Sequence, residues 1–265
     1  MTDARAPDSQ RIALAASLAD RARATILDYF RGALGEEDKP DATPVTLADR
    51  AAEKAMRADI AEAYSHDGII GEEYGTERPD AEWVWVLDPI DGTKQFITGK
   101  PSFGSLIALL HGGRPVLGVI EMPVLSERWV GITSQGTERR DAQGRSRVTT
   151  RACPSLDRAT LCTTAAENFE SAKGRAGFAK LRDTARVTVY GGDCHNYGLL
   201  ANGFCDLVVD GGMSTYDYAA LIPIIEGAGG VITDFAGNAL TQGEADVLAA
   251  GDPDIHAAAL RLFQK

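Results

Sequence analysis

The sequence has few basic residues, few cysteines and no long apolar segment. Lysine and arginine total 27 against 38 acidic residues, so the net charge is −11. Because nucleic acids and anionic membranes are bound mainly through lysine and arginine, this balance argues against both as partners. Residues 1–10 are polar and lack the apolar core of a signal peptide, and no apolar run is long enough to span a bilayer. We therefore expect a cytoplasmic protein.

The cysteines give no sign of a metal site. The four of them stand at positions 153, 162, 194 and 205, with no C-x-x-C pair and no histidine at metal-ligand spacing. We expect reduced thiols that mainly fill the interior.

Two aspartates follow an apolar run at residues 83–87 (WVWVL), where the sequence continues DPIDGT. Tryptophan and valine favour a buried strand, and the proline and glycine favour a sharp turn after it. Asp88 and Asp91 would then lie close together at the end of a rigid strand, where their charges repel unless a multivalent cation neutralises them. Carboxylate oxygens are ligands that Mg²⁺ prefers. The alternative is a solvent-exposed turn, since Asp-Pro and Asp-Gly pairs are common turn formers.

Further acids follow or precede two other predicted elements. Glu72 and Glu73 follow a short apolar segment at residues 68–71, which is typical of a second strand. Asp217 precedes a helical stretch at residues 219–230, which places an acid at a helix N-terminus. Each acid alone is explained by surface charge or by the helix dipole, but their occurrence in one chain favours a metal site.

Four sequence blocks resemble those of a known family. They are VTLAD at 45–49, GEE at 71–73, WVLDPIDGTKQF at 85–96 and YDYAALIPIIEGAGG at 216–230. In this order they resemble the inositol monophosphatase family, and the resemblance runs from about residue 10 to the C-terminus. It implies an α/β fold, namely a layered α/β/α/β/α sandwich of the sugar-phosphatase type with mixed and antiparallel sheets. It also implies hydrolysis of small-molecule phosphate monoesters and, as is usual for relatives, a homodimer.

The order of elements predicts one compact unit, residues 1–265, built from two closely packed subdomains. Helix periodicity marks residues 9–32 and about 47–65, with a charged loop at 35–41 between them. Strands and glycine-rich turns follow to about residue 151, and a second α/β half follows. The predicted strands include 106–110, 116–121, 128–132, 159–163, 204–210 and 231–234, and the later predicted helices are 195–202 and 255–263. No linker or repeat separates a metal-binding half, about 1–151, from a substrate-contacting half, about 152–265.

The resemblance implies that an acidic set holds two or three Mg²⁺ ions. One ion would be bound by Glu72, Asp88 and the main-chain carbonyl of Ile90. A second would be bound by Asp88, Asp91 and Asp217, so that Asp88 bridges the two. Hydrolysis of a phosphate monoester needs positive charge on the attacking and leaving oxygens, which such ions supply.

The catalytic residues implied by the resemblance are Thr93, Asp49 and Glu72. A metal-bound water would be the nucleophile, with Thr93 accepting its hydrogen bond and relaying the proton to Asp49. The spacing from Asp49 to Glu72 agrees with that of the family. The alternative for Asp49 is a helix capping box with Thr46.

A short helix is expected to begin after Asp91, near Lys94. Its free backbone N–H groups, at Gly92 and Thr93, would point at the phosphate beside Asp91, as helix N-termini do for anions. The glycine permits the close approach of the backbone. Lys94 stands where the family varies, so we expect it at the surface rather than in catalysis.

The substrate is inferred from GGDC at residues 191–194 and from Asp210 at the end of a predicted strand. GGDC and the YDYxALxP block are similar to the histidinol-phosphate phosphatases of the family, whereas inositol phosphatases carry a small or hydroxyl residue where Asp193 stands. Histidinol phosphate carries an ammonium group and an imidazole, for which Asp193 and Asp210 would be anionic partners. The alternative for Asp193 is N-capping of the following helix.

Two bases near this segment have no assigned role. Relatives often carry a basic residue just before the Gly-Gly pair, whereas this chain has Val189-Tyr190, with Arg186 the nearest base. His195 follows in the predicted helix, and we expect it to be packed or at the surface rather than in the pocket.

The predicted activity is Mg²⁺-dependent hydrolysis of L-histidinol phosphate to histidinol and phosphate, a step of histidine biosynthesis. The alternatives within the same chemistry are inositol 1-phosphate, a 3′-phosphonucleotide or a broad set of small monoesters, and Asp193 is the discriminating residue. An alternative of another class is a regulatory binding protein that keeps the fold. The complete acidic set argues for retained hydrolysis, and the negative net charge argues against direct contact with RNA.

Overall fold

The computed structural model describes residues 5–32, 36–38 and 44–264. Within these ranges there are eight α-helices: α1 Ser9–Tyr29, α2 Leu47–Ala63, α3 Thr93–Ile97, α4 Ala172–Thr184, α5 Asp193–Ala201, α6 Thr215–Tyr218, α7 Leu221–Gly227 and α8 Pro253–Gln264. The same ranges hold fifteen strands: β1 Glu36–Asp38, β2 Pro44–Thr46, β3 Gly68–Gly71, β4 Gly75–Glu77, β5 Trp83–Asp91, β6 Gly104–His111, β7 Arg114–Met122, β8 Glu127–Ile132, β9 Gly136–Asp141, β10 Gly144–Val148, β11 Thr160–Thr163, β12 Val187–Tyr190, β13 Leu207–Met213, β14 Val231–Asp234 and β15 Ala245–Ala250.

The first large sheet has the strand order β10-β9-β8-β7-β6-β5-β3-β4. Strands β3 and β5 run parallel, and the other neighbours run antiparallel. Between β6 and β7 the chain turns at Gly112 and Gly113, whose φ angles are 56° and 78°. Positive φ at both positions is what a tight hairpin turn requires.

The second large sheet has the order β12-β11-β13-β15-β14. Strands β12, β11 and β13 run parallel, whereas β15 is antiparallel to both of its neighbours. The carboxyl ends of β11 and β13 therefore meet at one edge of the sheet.

The helices and the two large sheets form five layers. Helices α1 and α2 cover one face of the first sheet, α5, α6 and α7 lie between the two sheets, and α4 and α8 cover the far face of the second. Alternation in β5 shows how the sequence specifies this: Trp83 and Trp85 belong to the core under α1 and α2, and Val84 and Val86 to the core between the sheets. The predicted α/β/α/β/α class with mixed and antiparallel sheets is confirmed.

The predicted helix at 219–230 is wrong in its extent, because only α7, Leu221–Gly227, lies within it, and a separate short helix, α6, precedes it. Pro223 is the third residue of α7, and its ring would clash with the carbonyl of Ala219 if the helix were continuous. The break also lies against β7, since a Cβ at Gly118 would come within 1.9 Å of the Ala220 carbonyl oxygen.

The strand predicted at 204–210 begins three residues later, at Leu207. Helix α5 ends in a Schellman motif, in which Gly203 has φ 73° and the Phe204 N–H donates to the Leu199 carbonyl at 3.0 Å. Phe204 thus belongs to the C-terminal capping motif of α5 and not to the strand. Helix α4 and strand β15 had no counterpart among the predicted elements.

Two sequence predictions depend on residues that the structure describes only in part. The predicted loop at 35–41 includes β1, and its other residues lie outside the described ranges. The capping box predicted for Asp49 needs the Thr46 side chain, which also lies outside the description. Across the described helices, none combines the length and the apolar character that a bilayer span requires.

Candidate active site

Strand β5 ends in an irregularity that turns two aspartates toward each other. In a regular strand, residues three positions apart point to opposite faces of the sheet. Between Asp88 and Asp91, however, β5 has one residue more than its partner β6. Pro89 has no N–H for the ladder, and its carbonyl accepts a hydrogen bond from the Ser105 hydroxyl at 2.6 Å. The resulting β-bulge re-aims the two carboxylates.

Five acidic side chains form two clusters that share Asp88. Carboxylate oxygens of Asp49, Glu72 and Asp88 lie within 4.8 Å of one another. Those of Asp88, Asp91 and Asp217 meet the same limit. The structure therefore brings together the five acids that the sequence analysis named for metal binding or catalysis, although they come from α2, the end of β3, the end of β5 and α6.

Local structure explains how Glu72 reaches the cluster. It follows β3 directly, and its N–H donates to the Leu87 carbonyl at 3.2 Å, which extends the parallel pairing of β3 with β5. This pairing places Glu72 beside Asp88, the next residue of β5. Asp49 is buried in the first turn of α2.

Asp217 is held by the start of its own helix. Its Oδ2 accepts a hydrogen bond from the Ser214 N–H at 2.7 Å, and the Ser214 side chain accepts from the Asp217 N–H in return. This reciprocal capping box fixes the carboxylate of Asp217 at the N-terminus of α6.

Burial and repulsion raise the pKa values of the clustered acids. The pKa of Asp88 rises well above its ordinary value, first because of burial and then because of repulsion from Glu72, Asp91 and Asp217. Burial, followed by repulsion from Asp193 and Asp217, raises the pKa of Asp91. Burial raises the pKa of Asp217 to about 6. The protein alone therefore disfavours charge on these acids.

The clusters fit a divalent cation. They offer carboxylate oxygens alone, which hard cations prefer. Among the described residues, no group donates a hydrogen bond to the buried Oδ1 of Asp88. A cation there would satisfy this oxygen and offset the repulsion that raises the pKa values. The acidic residues are thus positioned to hold metal.

The turn after Asp91 leads directly into α3. Gly92 is the N-cap residue and has φ 89°, a left-handed conformation that glycine adopts without strain. The Thr93 hydroxyl donates to the main-chain carbonyl of Ile90 at 3.2 Å. Lys94 is exposed, as predicted.

A cavity of about 140 Å³ opens beside the second cluster. Its walls come from the acids of that cluster, from α5, from β13 and from the segment after β11, namely Asp91, Asp217, Asp193, Cys194, Tyr197, Asp210, Gly211, Gly212, Met213, Thr164 and Asn168. Both acids predicted to contact the substrate group therefore line this cavity. The Cys194 N–H donates to Asp91 Oδ2 at 2.5 Å, which ties α5 to the end of β5.

Asp193 is the first residue of α5 and has φ 45°, a left-handed conformation uncommon for a residue with a side chain. Gly192 is the N-cap, so the alternative in which Asp193 caps this helix is wrong. Its Oδ2 is buried without a hydrogen-bond partner among the described residues. A Cβ at Gly92 would lie 3.1 Å from the Asp193 carboxyl carbon, which shows how closely this carboxyl approaches the Gly92 turn.

Asp210 is also buried in the wall of this cavity. It accepts hydrogen bonds from the Thr164 N–H at 2.6 Å and from the Tyr197 hydroxyl at 3.0 Å. Burial raises its pKa to about 6 in spite of these donors.

The two bases near this segment have partners outside the cavity. His195 Nε2 lies 3.4 Å from Glu127 Oε2, and burial lowers the pKa of the imidazole. Arg186 donates to the Thr160 hydroxyl at 3.2 Å, at the start of β11, whereas the cavity lies at the end of that strand. The expectation that His195 is packed agrees with these contacts.

Sequence reasoning missed three polar residues of the cavity wall. Tyr197 lies one helical turn after Asp193, so helix spacing was an available signal. Thr164 follows β11, whose parallel pairing with β13 places it near Asp210, but that pairing had to be known first. Asn168 lies in a single-turn 3₁₀ helix, Ala166–Asn168, for which the sequence gave no signal.

Comparisons with known proteins agree with this geometry. The model of the inositol monophosphatase family matches residues 8–265. The bifunctional phosphatase IMPL2, chloroplastic, of Arabidopsis thaliana is 47% identical over 221 residues, which cover 83% of this chain and 62% of that protein. A histidinol-phosphatase of Chlorobaculum parvum is 37% identical over 230 residues, 86% of each chain.

A solved structure gives the same assignment. An inositol monophosphatase from Zymomonas mobilis superposes with a TM-score of 0.88 at 46% identity, over 98% of this chain and 100% of that one. With its fold, its paired acidic clusters and the family match over nearly the whole length, the chain belongs to the inositol monophosphatase family of phosphatases.

Proposed function

We propose that the protein is a Mg²⁺-dependent phosphate monoester hydrolase whose substrate is L-histidinol phosphate. The observation that carries the proposal is the joining of two carboxylate clusters, which share Asp88, to a cavity with two further carboxylates, Asp193 and Asp210. The clusters would bind the cations that phosphate hydrolysis needs, and the cavity would select the substrate by contacting the group that bears the phosphate.

In this proposal Glu72, Asp88 and the Ile90 carbonyl would hold one Mg²⁺ ion, and Asp88, Asp91 and Asp217 would hold a second. A third ion is compatible with the acidic set. The bound ions would offset the negative charge that keeps a nucleophile away from the phosphate. Bound cations would also relieve the repulsion among the acids that raises the pKa values of Asp88 and Asp91.

Thr93 and Asp49 would move the proton of the attacking water. The Thr93 hydroxyl now donates to the Ile90 carbonyl. To act as a relay, the hydroxyl would turn its hydrogen from the Ile90 carbonyl to Asp49, a buried member of the first cluster, and would take a proton from the water as it gives its own to Asp49. Asp91 and the backbone N–H groups of Gly92 and Thr93, at the start of α3, would lie against the phosphate group.

The two carboxylates of the cavity favour a cationic substrate group. Charge-assisted hydrogen bonds contribute roughly 1.5–3 kcal/mol each, and Asp193 Oδ2 has no partner among the described residues. Asp210 already accepts three hydrogen bonds, from Thr163, Thr164 and Tyr197, but two carboxylate oxygens accept about four. The ammonium group and the imidazole of histidinol phosphate would use this capacity. The relative named histidinol-phosphatase supports the same choice.

A second candidate is inositol 1-phosphate. The solved structure at 46% identity is named an inositol monophosphatase, and this likeness favours it. Hydroxyl groups of a polyol could donate to the same carboxylates, although each such bond is weaker than one from an ammonium group. Assembly as a homodimer and location in the cytoplasm stay predictions.

The test is phosphate release from a small panel: histidinol phosphate, inositol 1-phosphate, a 3′-phosphonucleotide and a sugar bisphosphate. We expect the highest kcat/KM for histidinol phosphate with Mg²⁺, loss of release after EDTA and recovery when Mg²⁺ is added back. Equal kcat/KM values across the panel would contradict the proposal that histidinol phosphate is the preferred substrate. Full activity after chelation would contradict the proposal that hydrolysis depends on Mg²⁺.

A further inference from the structure

Glu53 lies one helical turn after Asp49 on α2 and is completely buried. Residues four apart share one face of a helix, so Glu53 points to the same side as the acid that joins the first cluster. It belongs to neither cluster within the described residues. Its hydrogen-bond partners indicate a different role.

The Glu53 carboxylate binds the backbone of the loop that carries Glu72. Oε2 accepts from the Glu73 N–H at 2.7 Å, and Oε1 accepts from the Tyr74 N–H at 3.2 Å. These are the first two N–H groups after Glu72, in the turn between β3 and β4. One side chain of α2 therefore fixes the exit of this loop.

Arg57 completes the attachment from the next turn of α2. Its Nε donates to Glu53 Oε1 at 2.7 Å, and its guanidinium also binds Glu77 Oε1 at 3.1 Å and the Gly75 carbonyl. The Glu53–Arg57 pair thus connects α2 to both sides of the β3–β4 turn. Because a buried ion pair adds little net stability by itself, the contact with Arg57 alone does not account for a glutamate here.

The strand before the loop is shaped to admit this carboxylate. A Cβ at Gly71 would lie 2.0 Å from Glu53 Oε1 and 2.7 Å from Arg57 Nη2. Any side chain at position 71 would displace the Glu53 carboxylate from the loop. The residues on both sides of Glu72 are therefore set by contact with Glu53.

We propose that Glu53 is a positioning residue that fixes Glu72 relative to Asp49 for cation binding. This inference rests on the proposed function, in which Glu72 is a metal ligand. Helix α2 then positions two acids of the first cluster: Asp49 directly, and Glu72 indirectly through the loop that Glu53 holds. Residues that orient metal ligands typically change metal affinity by about 10–100-fold when they are substituted.

The test compares Glu53→Gln with Glu62→Gln, the same substitution at an exposed position of α2. In Glu53→Gln an NH₂ group replaces one of the oxygens that accept the loop N–H groups. We expect the Mg²⁺ concentration for half-maximal phosphate release, and the Mg²⁺ Kd from calorimetry without substrate, to rise about 10–100-fold. Turnover at saturating Mg²⁺ should be largely retained. Glu62→Gln should change neither value.

A double-mutant cycle separates positioning from general structure. If Glu53 acts through Glu72, Glu53→Gln should weaken Mg²⁺ binding no further in a Glu72→Ala background. Unchanged Mg²⁺ affinity with a lower Tm, or losses that multiply in that background, would overturn the inference. If Glu53→Gln does not fold, Gly71→Ala displaces the same carboxylate and must shift Mg²⁺ affinity in the same direction.

Asp88→Asn distinguishes the two levels of the proposal. If it abolishes Mg²⁺ binding while Glu53→Gln leaves binding unchanged, only the role of Glu53 is wrong. If Asp88→Asn binds Mg²⁺ as the unmodified protein does, the metal site of the proposed function fails, and the role of Glu53 fails with it.

Discussion

Asp217→Asn should stabilise the metal-free protein at alkaline pH while abolishing phosphate release. Burial raises the pKa of Asp217 from 3.8 to about 6, so between these values the folded state holds a proton that the unfolded chain releases. Stability therefore falls as pH rises through this range. The rise in pKa corresponds to at most about 3 kcal/mol at pH 8, and solvent screening lowers this figure because Asp217 is only partly buried.

Part of this gain is lost in the variant. Asparagine still accepts the hydrogen bond from the Ser214 N–H, but a neutral acceptor is weaker by roughly 1 kcal/mol. The expected net stabilisation at pH 8 in EDTA is thus about 1–2 kcal/mol. At pH 4.5 unmodified Asp217 is largely protonated, so the stabilisation should disappear or reverse.

The assay is urea denaturation in EDTA at pH 4.5 and pH 8, repeated at pH 8 with Mg²⁺. Mg²⁺ should stabilise the unmodified protein more than the variant, because the variant lacks one ligand. Asp80→Asn, at an exposed position, is the matched control and should show no pH-dependent difference. The reasoning is refuted if Asp217→Asn is destabilised equally at both pH values.

Three further predictions concern catalysis and substrate choice. Asp88→Asn should lower turnover by several orders of magnitude at saturating Mg²⁺ while the fold is retained by circular dichroism; near-normal turnover would show that Asp88 is not a ligand. Thr93→Ala should lower kcat about 10²–10⁴-fold with little change in Mg²⁺ affinity. If Asp49 belongs to the same relay, the double variant should be little worse than either single one, whereas multiplying losses would separate the two. Asp193→Ala should lower kcat/KM for histidinol phosphate by about 10–150-fold and barely affect inositol 1-phosphate. Equal losses on both substrates with a lower Tm would make Asp193 structural.

The layers and Asp49 were predicted from the resemblance to the family, whereas Glu72, Asp88, Asp91 and Asp217 were also marked by local patterns, since each stands at the end of a predicted strand or the start of a predicted helix. The WVWVL run alternates between two cores, so its burial and strand character follow from composition. The sequence did not predict the β-bulge after Asp88. Proline and glycine predicted a sharp turn, but only the pairing with β6 shows the extra residue that brings Asp88 and Asp91 to one side.

The missed features depend on contacts between distant segments. The Glu53 carboxylate binds the loop after Glu72, some 20 residues along the chain, and nothing in α2 alone distinguishes it from a surface glutamate. Asp193 was expected to contact the substrate from the resemblance to the family and from its charge, but its left-handed φ and the cap at Gly192 depend on how α5 meets the end of β5. Local patterns and the resemblance to the family thus predict which residues matter, and tertiary packing decides how they are held.

The most direct test of the central claim is anomalous X-ray diffraction from crystals grown with Mn²⁺, which prefers the same oxygen ligands as Mg²⁺. Two carboxylate clusters that share Asp88 should give anomalous peaks in both clusters, each within coordination distance of Asp88. Both peaks should be lost or displaced in Asp88→Asn. Crystals of the folded, active protein with no anomalous peak at Asp88 would contradict the account.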